Sequence, residues 1–142
     1  NILFVCTGNT CRSPMAEGIF NSLCGESNLP HRASSCGISA FSGEGASLYA
    51  IEAARELGAD ISGHCSRLIT KELCHWADRI FCMSERHAAA VRSAFPEAKE
   101  KVFALNPPIP DPYGNGPEDY RRCAAALKKA VDQILAEIGG NG

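Results

Sequence analysis

Short apolar runs along the chain predict four β-strands. Residues 2–5 form a β-favouring apolar run followed by a Gly-containing turn, a pattern typical of a buried parallel strand. Residues 79–83 and 101–105 are further runs of this kind, and residues 31–36 form a weaker one. We predict a strand over each of these ranges.

Between the predicted strands, apolar residues recur at the spacing of an amphipathic helix. We predict helices over residues 13–24, 47–57, 71–76, 84–95 and 118–138. Ser13 is predicted to cap the first helix, and Pro14 suits an early helical position. The buried face of the second helix is predicted to carry Leu48, Ile51, Ala54 and Leu57. The proline-rich residues 106–117 are predicted to form a loop.

The alternation of strands and helices favours an α/β architecture with right-handed crossovers and a parallel sheet covered by helices on both faces. Ligands of such sheets bind beyond the carboxyl ends of the strands. The loops that follow the first and fourth predicted strands leave from that edge, so we expect them to meet. No internal repeat or linker is visible, and we predict a single domain over residues 1–142.

Composition narrows the class of protein. The 142 residues are 45% hydrophobic and 21% charged, with a net charge of -2, which fits a soluble globular chain and does not favour nucleic-acid binding. The apolar start is soon interrupted by Asn9 and Arg12, so we expect neither a signal peptide nor a membrane span. The sequence has eight cysteines but no export signal, which favours free thiols in the cytoplasm. It contains no C-x-x-C pair, so a metal site is not favoured.

The candidate chemistry lies in the segment after the first strand, which we call the phosphate loop (residues 6–13). It places a thiol and a guanidinium six positions apart, at Cys6 and Arg12. Gly8 and Asn9 tolerate left-handed backbone angles, so the loop can curl and aim its N–H groups at an anion. The following helix adds its positive end, and Arg12 can clamp two phosphate oxygens. The predicted phosphate-binding residues are Thr7, Gly8, Asn9, Thr10, Cys11, Arg12 and Ser13.

Cys6 is the candidate nucleophile. The positive surroundings favour its thiolate, Ser13 can donate a hydrogen bond to the sulfur, and attack on phosphorus would give a thiophosphate intermediate. The alternative is an inert buried cysteine beside a surface arginine. Asp111 is the candidate general acid, because the prolines on both sides of it stiffen the loop. Taken alone, however, an Asp-Pro pair is more often a plain turn.

Two segments make the sequence resemble the low-molecular-weight protein tyrosine phosphatase family: residues 6–14, Cys-Thr-Gly-Asn-Thr-Cys-Arg-Ser-Pro, and residues 111–113, Asp-Pro-Tyr. The likeness covers nearly the whole chain. It implies a flavodoxin-like three-layer sandwich with a four-stranded parallel sheet, and no metal or other cofactor. It also implies Cys6 as nucleophile, Arg12 as phosphate clamp, and Asp111 as the acid that later activates water. The implied partner is a phosphorylated protein or peptide, and we favour a monomer.

The resemblance also assigns residues that support the phosphate loop. Asn9 matches the residue that shapes the loop, and Ser13 matches the partner of the thiolate. Ser35 and His64 match residues that brace the loop from behind, and Arg67 belongs to the same His-x-x-Arg pattern. From the sequence alone, a surface turn would be the preferred interpretation of His64 and Arg67.

Cys11 matches the second loop cysteine of the family, and two interpretations of it remain open. Peroxide could join it to Cys6 in a reversible disulfide that protects the nucleophile. Cys11 could equally be a small buried side chain. Cys36 replaces a small residue that the family would have, and we assign it no role. The remaining cysteines are expected to be packing or incidental residues: Cys24, Cys65, Cys74, Cys82 and Cys123.

The substrate depends on the residues that form the wall of the site, Thr10 and Tyr113. The loop resembles that of the protein-arginine phosphatase branch, in which this threonine is associated with a preference for phosphoarginine. Family members that act on phosphotyrosine often carry an aliphatic residue at the position of Thr10, and many have a second aromatic residue where this chain has Gly114. We therefore favour phosphoarginine over phosphotyrosine, although Tyr113 can stack on either group.

Two other classes of protein have similar features. Thiol-dependent arsenate reductases share a Cys-x5-Arg anion loop, but they need a relay of further cysteines. The close pair here, Cys74 and Cys82, is predicted to lie in a helix and a strand, which is poor placement for a mobile relay. A phosphate-binding module without catalysis would leave Asp111 without a purpose.

Overall fold

The sheet has four strands: β1 (Ile2–Cys6), β2 (Ala33–Gly37), β3 (Arg79–Cys82) and β4 (Val102–Ala104). The strands pair in the order β2-β1-β3-β4, and each neighbouring pair is parallel. These features come from a computed structural model, which describes residues 1–139. The predicted parallel sheet is confirmed, with strand ends that differ from the predicted ones by at most two residues.

Helices connect the strands and cover both faces of the sheet. They are α1 (Arg12–Glu26), α2 (Leu48–Glu56), α3 (Lys71–Trp76), α4 (Glu85–Ala94) and α5 (Pro117–Gly139). A 3₁₀-helix at Pro96–Lys101, which the periodicity did not predict, follows α4. Within residues 1–139, none of the helices combines the length and the hydropathy that crossing a bilayer requires.

Alternating residues of β1 build two apolar cores, one on each face of the sheet. Phe4 packs with α1, α2 and α5, and its ring lies edge-on to that of Phe20 at 6.0 Å between centroids. Leu3 and Val5 point the other way and pack with residues of α3 and α4. Both faces of β1 are fully buried, which explains why the strand is apolar throughout. Packing on both sides also fixes the end of β1 at the centre of the molecule.

The predicted buried face of α2 is correct for Ile51 and Ala54, which pack in or against the core, but wrong for its two leucines. Leu48 is 68% exposed and Leu57 is 38% exposed, whereas Ala50, Ala53 and Ala54 are buried. Methyl side chains at the contact allow α2 to approach α1 and α5 closely, and the larger leucines are left on the outside. The hydrophobic period was present, but residue size decided which side faces the core.

The carboxyl ends of the strands bring the two candidate loops together. Cys6 ends β1 and is paired with Gly37 at the end of β2. After β4, the chain turns back across the same edge, where the N–H of Leu105 donates to the carbonyl of Cys82 and that of Ile109 donates to the carbonyl of Met83. The segment that contains Asp111 is thereby anchored to the end of β3.

Candidate active site

The phosphate loop curls tightly around the end of β1. Asn9 takes a left-handed conformation with φ of 56°, and its N–H points to Cys6 Sγ at 3.3 Å. Gly8 was expected to share this conformation but does not adopt it. An asparagine tolerates positive φ better than most residues, and here it leaves Gly8 free of that requirement.

A close approach of β2 fixes the position of the loop from one side. A Cβ atom placed on Gly37 would lie 2.4 Å from the carbonyl oxygen of Thr7 and 3.0 Å from the nitrogen of Asn9. The N–H of Ser39 donates to that same Thr7 carbonyl at 3.0 Å. Gly37 is therefore the residue that lets the backbone pass close behind the loop, and the sequence analysis did not identify it.

The first helix begins earlier than predicted. It starts at Arg12, with Cys11 in the capping position and no side-chain cap. The predicted cap at Ser13 is wrong, because Ser13 lies inside the first turn and its hydroxyl is 2.9 Å from Cys6 Sγ. The first N–H groups of α1 consequently keep no side-chain partner at the cap and remain available to an anion.

Asn9 is fully buried, and both its backbone and its side chain make hydrogen bonds. Its side-chain amide donates to the hydroxyls of Ser13 and Ser35, at 2.8 and 3.0 Å. Its side-chain oxygen accepts from the N–H of Arg67 at 3.0 Å, and its carbonyl accepts from Nε2 of His64 at 2.7 Å. His64 and Arg67 thus contact the loop from behind, rather than forming the plain surface turn that the sequence alone favoured.

The support extends further than the sequence analysis predicted. Glu17 Oε1 accepts a hydrogen bond from the hydroxyl of Ser35 at 2.6 Å, and Arg67 Nε donates to the Ser35 carbonyl at 3.1 Å. On the other side of the loop, Thr7 Oγ1 lies 2.9 Å from Nε2 of His87. Neither Glu17 nor His87 belongs to a recognisable motif, so only their placement in the fold identifies them.

Arg12 and Asp111 come together over the loop. The Arg12 side chain is buried, and its Nη1 donates to the carbonyl of Ile109 at 3.0 Å. Its Nη2 lies 3.6 Å from Asp111 Oδ2. Asp111 is half exposed, and its Oδ1 accepts from the N–H of Tyr113 at 3.1 Å. The carboxyl group is therefore held above the arginine while one side still faces solvent.

These groups line a cleft of about 370 Å³. Its walls are formed by the phosphate loop, by two aromatic residues and by polar residues that follow β2 and β4. They are Cys6, Thr7, Gly8, Asn9, Thr10, Cys11, Arg12, Ser39, Phe41, Glu44, Asp111 and Tyr113. A wider cleft behind the loop, of about 520 Å³, contains no cysteine or arginine. The candidate chemistry is therefore concentrated in the smaller one.

The mouth of the cleft combines Tyr113, which was predicted as a wall of the site, with Phe41 and Glu44, which the sequence did not indicate. Phe41 and Tyr113 are each 76% exposed, and Glu44 lies with them on the lining. The segment that carries Phe41 and Glu44 is fixed by Ser66, which exchanges hydrogen bonds with the backbone of both residues. The available signal was that this segment follows the predicted second strand and so leaves from the same edge of the sheet.

The Cys11 thiol has neighbours of its own. Its sulfur donates to Ser47 Oγ at 3.5 Å and lies 3.4 Å from the hydroxyl of Tyr120. Burial raises the pKa of Tyr120 to about 12, so the phenol stays protonated. Cys6 and Cys11 are both free thiols. The redox role of Cys11 stays a prediction.

Most of the other cysteines are buried and unreactive. Burial raises the pKa of Cys82 and Cys123 to about 12, and it also raises the pKa of Cys36 and Cys74. A buried thiol that stays protonated is a poor nucleophile. Within residues 1–139, no group of three or more His, Cys, Asp or Glu side chains is arranged to hold a metal ion.

Comparisons with known proteins agree with this geometry. The protein-arginine-phosphatase of Geobacillus stearothermophilus is 35% identical, over 96% of this chain and 95% of that protein. The low molecular weight protein-tyrosine-phosphatase Wzb of Escherichia coli (strain K12) is also 35% identical, over 94% and 91% of the two chains. A solved cysteine-to-serine variant of the YwlE arginine phosphatase, with a phosphorylated active-site serine, superposes with a TM-score of 0.93. It is 32% identical and covers 97% of this chain and 95% of that one.

The profile of the family described as low molecular weight phosphotyrosine protein phosphatase matches residues 1–141. The resemblance that the two sequence segments indicated is therefore confirmed, and the chain belongs to this family.

Proposed function

We propose that this protein is a phosphoprotein phosphatase that forms a phosphocysteine at Cys6 and prefers phosphoarginine as its substrate. The observation that carries the proposal is the arrangement in one cleft of a thiol, a buried guanidinium and a carboxyl group. Cys6 lies in the phosphate loop, Arg12 faces the cleft, and Asp111 lies 3.6 Å from Arg12.

The surroundings of Cys6 place hydrogen-bond donors and positive charge close to its sulfur. The N–H of Asn9 donates to the sulfur at 3.3 Å, and Ser13 Oγ is 2.9 Å away. Ser13 Oγ accepts from the Asn9 amide, and its own hydrogen faces two acceptors, the sulfur at 2.9 Å and the Cys36 carbonyl at 3.4 Å, of which the sulfur is the nearer. Two donors, the positive end of α1 and the Arg12 charge all stabilise an anion at this point.

In the first step, Cys6 Sγ attacks phosphorus and the phosphoryl oxygens bind to Arg12 and the loop N–H groups. The S–P bond forms, and the P–N bond of phosphoarginine breaks. The leaving nitrogen takes its proton from Asp111, which enters the step as the neutral acid. With phosphotyrosine, the same proton would go to the phenolic oxygen as the P–O bond breaks.

In the second step, the Asp111 carboxylate removes a proton from water and the resulting oxygen attacks phosphorus. The S–P bond breaks, inorganic phosphate forms, and the Cys6 thiolate returns. The YwlE variant with a phosphorylated active-site serine supports this route, because there a phosphoryl group is attached to an active-site side chain of a similar fold.

The mouth of the cleft supports phosphoarginine. Glu44 is a carboxylate on its lining, and within the described residues it makes no salt bridge. A guanidinium group is attracted to such carboxylates, whereas a phenol ring is not. Thr10 offers a hydroxyl on the same lining. The aromatic residues Phe41 and Tyr113 accept either group by stacking.

Comparison with relatives does not separate the two substrates, because an arginine phosphatase and a tyrosine phosphatase are equally similar to this chain. The deciding experiment compares kcat/KM for phosphoarginine and phosphotyrosine in peptides of otherwise identical sequence. We expect a higher value for phosphoarginine. Glu44→Gln should lower the phosphoarginine value by about two- to fivefold and leave the phosphotyrosine value unchanged, as for an exposed ion pair. A higher value for phosphotyrosine would overturn the assignment.

The arsenate-reductase alternative receives less support. Cys74 and Cys82 are buried, and burial raises the pKa of both thiols, so neither is suited to relay electrons from Cys6. All groups of the proposed mechanism come from one chain, which fits a monomer. The free Cys6 thiol that the mechanism needs also fits a reducing compartment such as the cytoplasm.

A further inference from the structure

A hydrogen-bonded chain connects the start of α4 to the phosphate loop. Ser84 caps α4, and its Oγ accepts the backbone N–H of His87 at 3.4 Å. The same oxygen lies 2.6 Å from His87 Nδ1, and His87 Nε2 lies 2.9 Å from Thr7 Oγ1. His87 is only 7% exposed. The chain thus runs from Ser84 through a buried imidazole to a residue that lines the cleft.

The partners of Ser84 favour one position for the ring hydrogen of His87. Its hydroxyl accepts one bond from the backbone and needs an acceptor for its own hydrogen. Among residues 1–139, the acceptor that lies within hydrogen-bond distance of this hydroxyl is Nδ1 of His87. Nδ1 is then unprotonated, Nε2 carries the hydrogen and donates it to Thr7 Oγ1, and the hydrogen of Thr7 must point away from His87.

The charges around the ring keep it neutral. Burial lowers the pKa of His87, and the positive charges of Arg12 on α1 and Arg86 on α4 lower it further. Asp111, from the segment after β4, acts in the opposite direction with a smaller effect. A protonated ring would donate from both nitrogens and would place a second cation near Arg12.

We propose that His87 is a positioning residue that turns the Thr7 hydroxyl towards the cleft, where it donates a hydrogen bond to a bound phosphoryl oxygen. The proposal rests on the phosphatase function proposed above, since it names the oxygen as part of the substrate. Thr7 supplies the contact, and His87 acts only through Thr7. Ser84 in turn selects the tautomer that makes this orientation possible.

Nitrogen NMR of the ¹⁵N-labelled full chain tests the geometry without any turnover. We expect His87 at neutral pH to be uncharged with its hydrogen on Nε2, both with and without inorganic phosphate. A hydrogen on Nδ1, or a charged ring at that pH, would overturn the proposal. Since the measurement needs no substrate, it can fail while the phosphatase function stands, and the reverse is also possible.

Kinetics test the dependence on Thr7. We expect Thr7→Val to lower kcat about 10- to 100-fold with little change in KM, the effect of losing one hydrogen bond to a charged group. Thr7→Ser should retain most of the activity. His87→Ala should lower kcat about tenfold in the wild type but less than about twofold in the Thr7→Val background, because contacts in series are not additive.

Three further results complete the test. His87→Gln, whose amide can still donate to Thr7, should recover part of the loss caused by His87→Ala. His75→Ala, a change at an exposed histidine on α3, should leave kcat at the wild-type value. If His87→Ala lowered kcat by the same factor with and without Thr7→Val, His87 would not act through Thr7 and the proposal would be wrong.

Discussion

At the scale of single residues, Asn9 links the nucleophile to the rest of the molecule. It donates its own N–H to Cys6 Sγ, and its side chain contacts Ser13, Ser35 and the backbone of Arg67. A buried amide with all of its hydrogen bonds made is rigid, and leaving any one of them unpaired costs about 1–3 kcal/mol. The positive φ of Asn9 is therefore maintained by its neighbours.

Asp111 offers a sharp test of the acid assignment. Asp111→Asn keeps the shape of the side chain but cannot supply a proton in the first step. We expect kcat/KM for a phosphotyrosine peptide, which reports the first step and has a poor leaving group, to fall about 100- to 10,000-fold. For p-nitrophenyl phosphate, whose leaving group needs little protonation, the fall should be much smaller.

Glu44→Gln serves as the matched control, since Glu44 is the other carboxylate on the lining and takes no part in proton transfer. If Asp111→Asn hydrolysed both substrates at the wild-type rate, Asp111 would not be the acid. A phosphate-binding module without catalysis would then become the better interpretation of the cleft.

The sequence predicted some of these residues and missed others for a physical reason. Cys6, Arg12 and Asp111 stand in motifs whose residue types already indicate a chemistry, and the structure brings them together. Thr7 and His87 are 80 positions apart, and no local pattern relates them. The contact arises only because α4 starts at the same edge of the sheet as the phosphate loop.

At the scale of elements, apolar periodicity was sufficient where side chains are large. The helices α1 and α5 were both predicted, and each buries large apolar residues, including Phe20 and Leu127. Periodicity failed for the two leucines of α2, whose buried contact residues are alanines, and it did not predict the 3₁₀-helix after α4. Backbones can pack closely only where the side chains between them are small or absent. A hydrophobic pattern does not indicate the size of the side chains.

Gly37, at the end of β2, is a site where close backbone packing requires that no side chain is present, and a substitution there measures the effect. Gly37→Ala would place a methyl group 2.4 Å from the Thr7 carbonyl oxygen, so the phosphate loop must shift. We expect the free energy of unfolding to fall by about 1–3 kcal/mol, as for other overpacked sites. Phosphate should also inhibit the variant less strongly than the wild type.

Gly25→Ala is the matched control, because a methyl group at that position in α1 would meet no atom within 4 Å. Replacing a glycine in the last turn of a helix should stabilise the protein by less than about 1 kcal/mol. Denaturant titration of both variants distinguishes the two sites. Equal stability of the two variants would contradict the close approach of β2 to the loop.

At the scale of the whole molecule, the buried imidazole of His87 links stability to pH. Burial lowers the pKa of His87 in the folded protein, so the unfolded chain binds the extra proton below its ordinary value of about 6.5. The free energy of unfolding should therefore decrease progressively as the pH falls from about 6.5 through the pKa of His87 in the folded protein. At higher pH this contribution is constant.

Urea titrations at a series of pH values measure the effect. His87→Gln, which cannot be protonated, should flatten the acid side of the stability profile relative to the wild type. His75→Gln removes an exposed histidine and should keep the wild-type slope. If His87→Gln also kept that slope, the imidazole would not be held neutral by burial.

The architecture itself followed from the order of strands and helices, because right-handed crossovers leave few ways to arrange it. The edge at which the site lies followed from the same argument. The residues at the mouth of the cleft did not, since Phe41 and Glu44 come from a segment without a strong pattern. Their position depends on Ser66, a buried residue that belongs to a different part of the chain.

The bonds around Asn9 have a practical consequence. They join α1, β2 and the turn at residues 64–67, three segments that are far apart along the chain. Any loosening of one of them would release the nucleophile before the remainder of the protein came apart. On heating, we therefore expect the enzymatic rate to decline at a lower temperature than the circular dichroism signal of the helices.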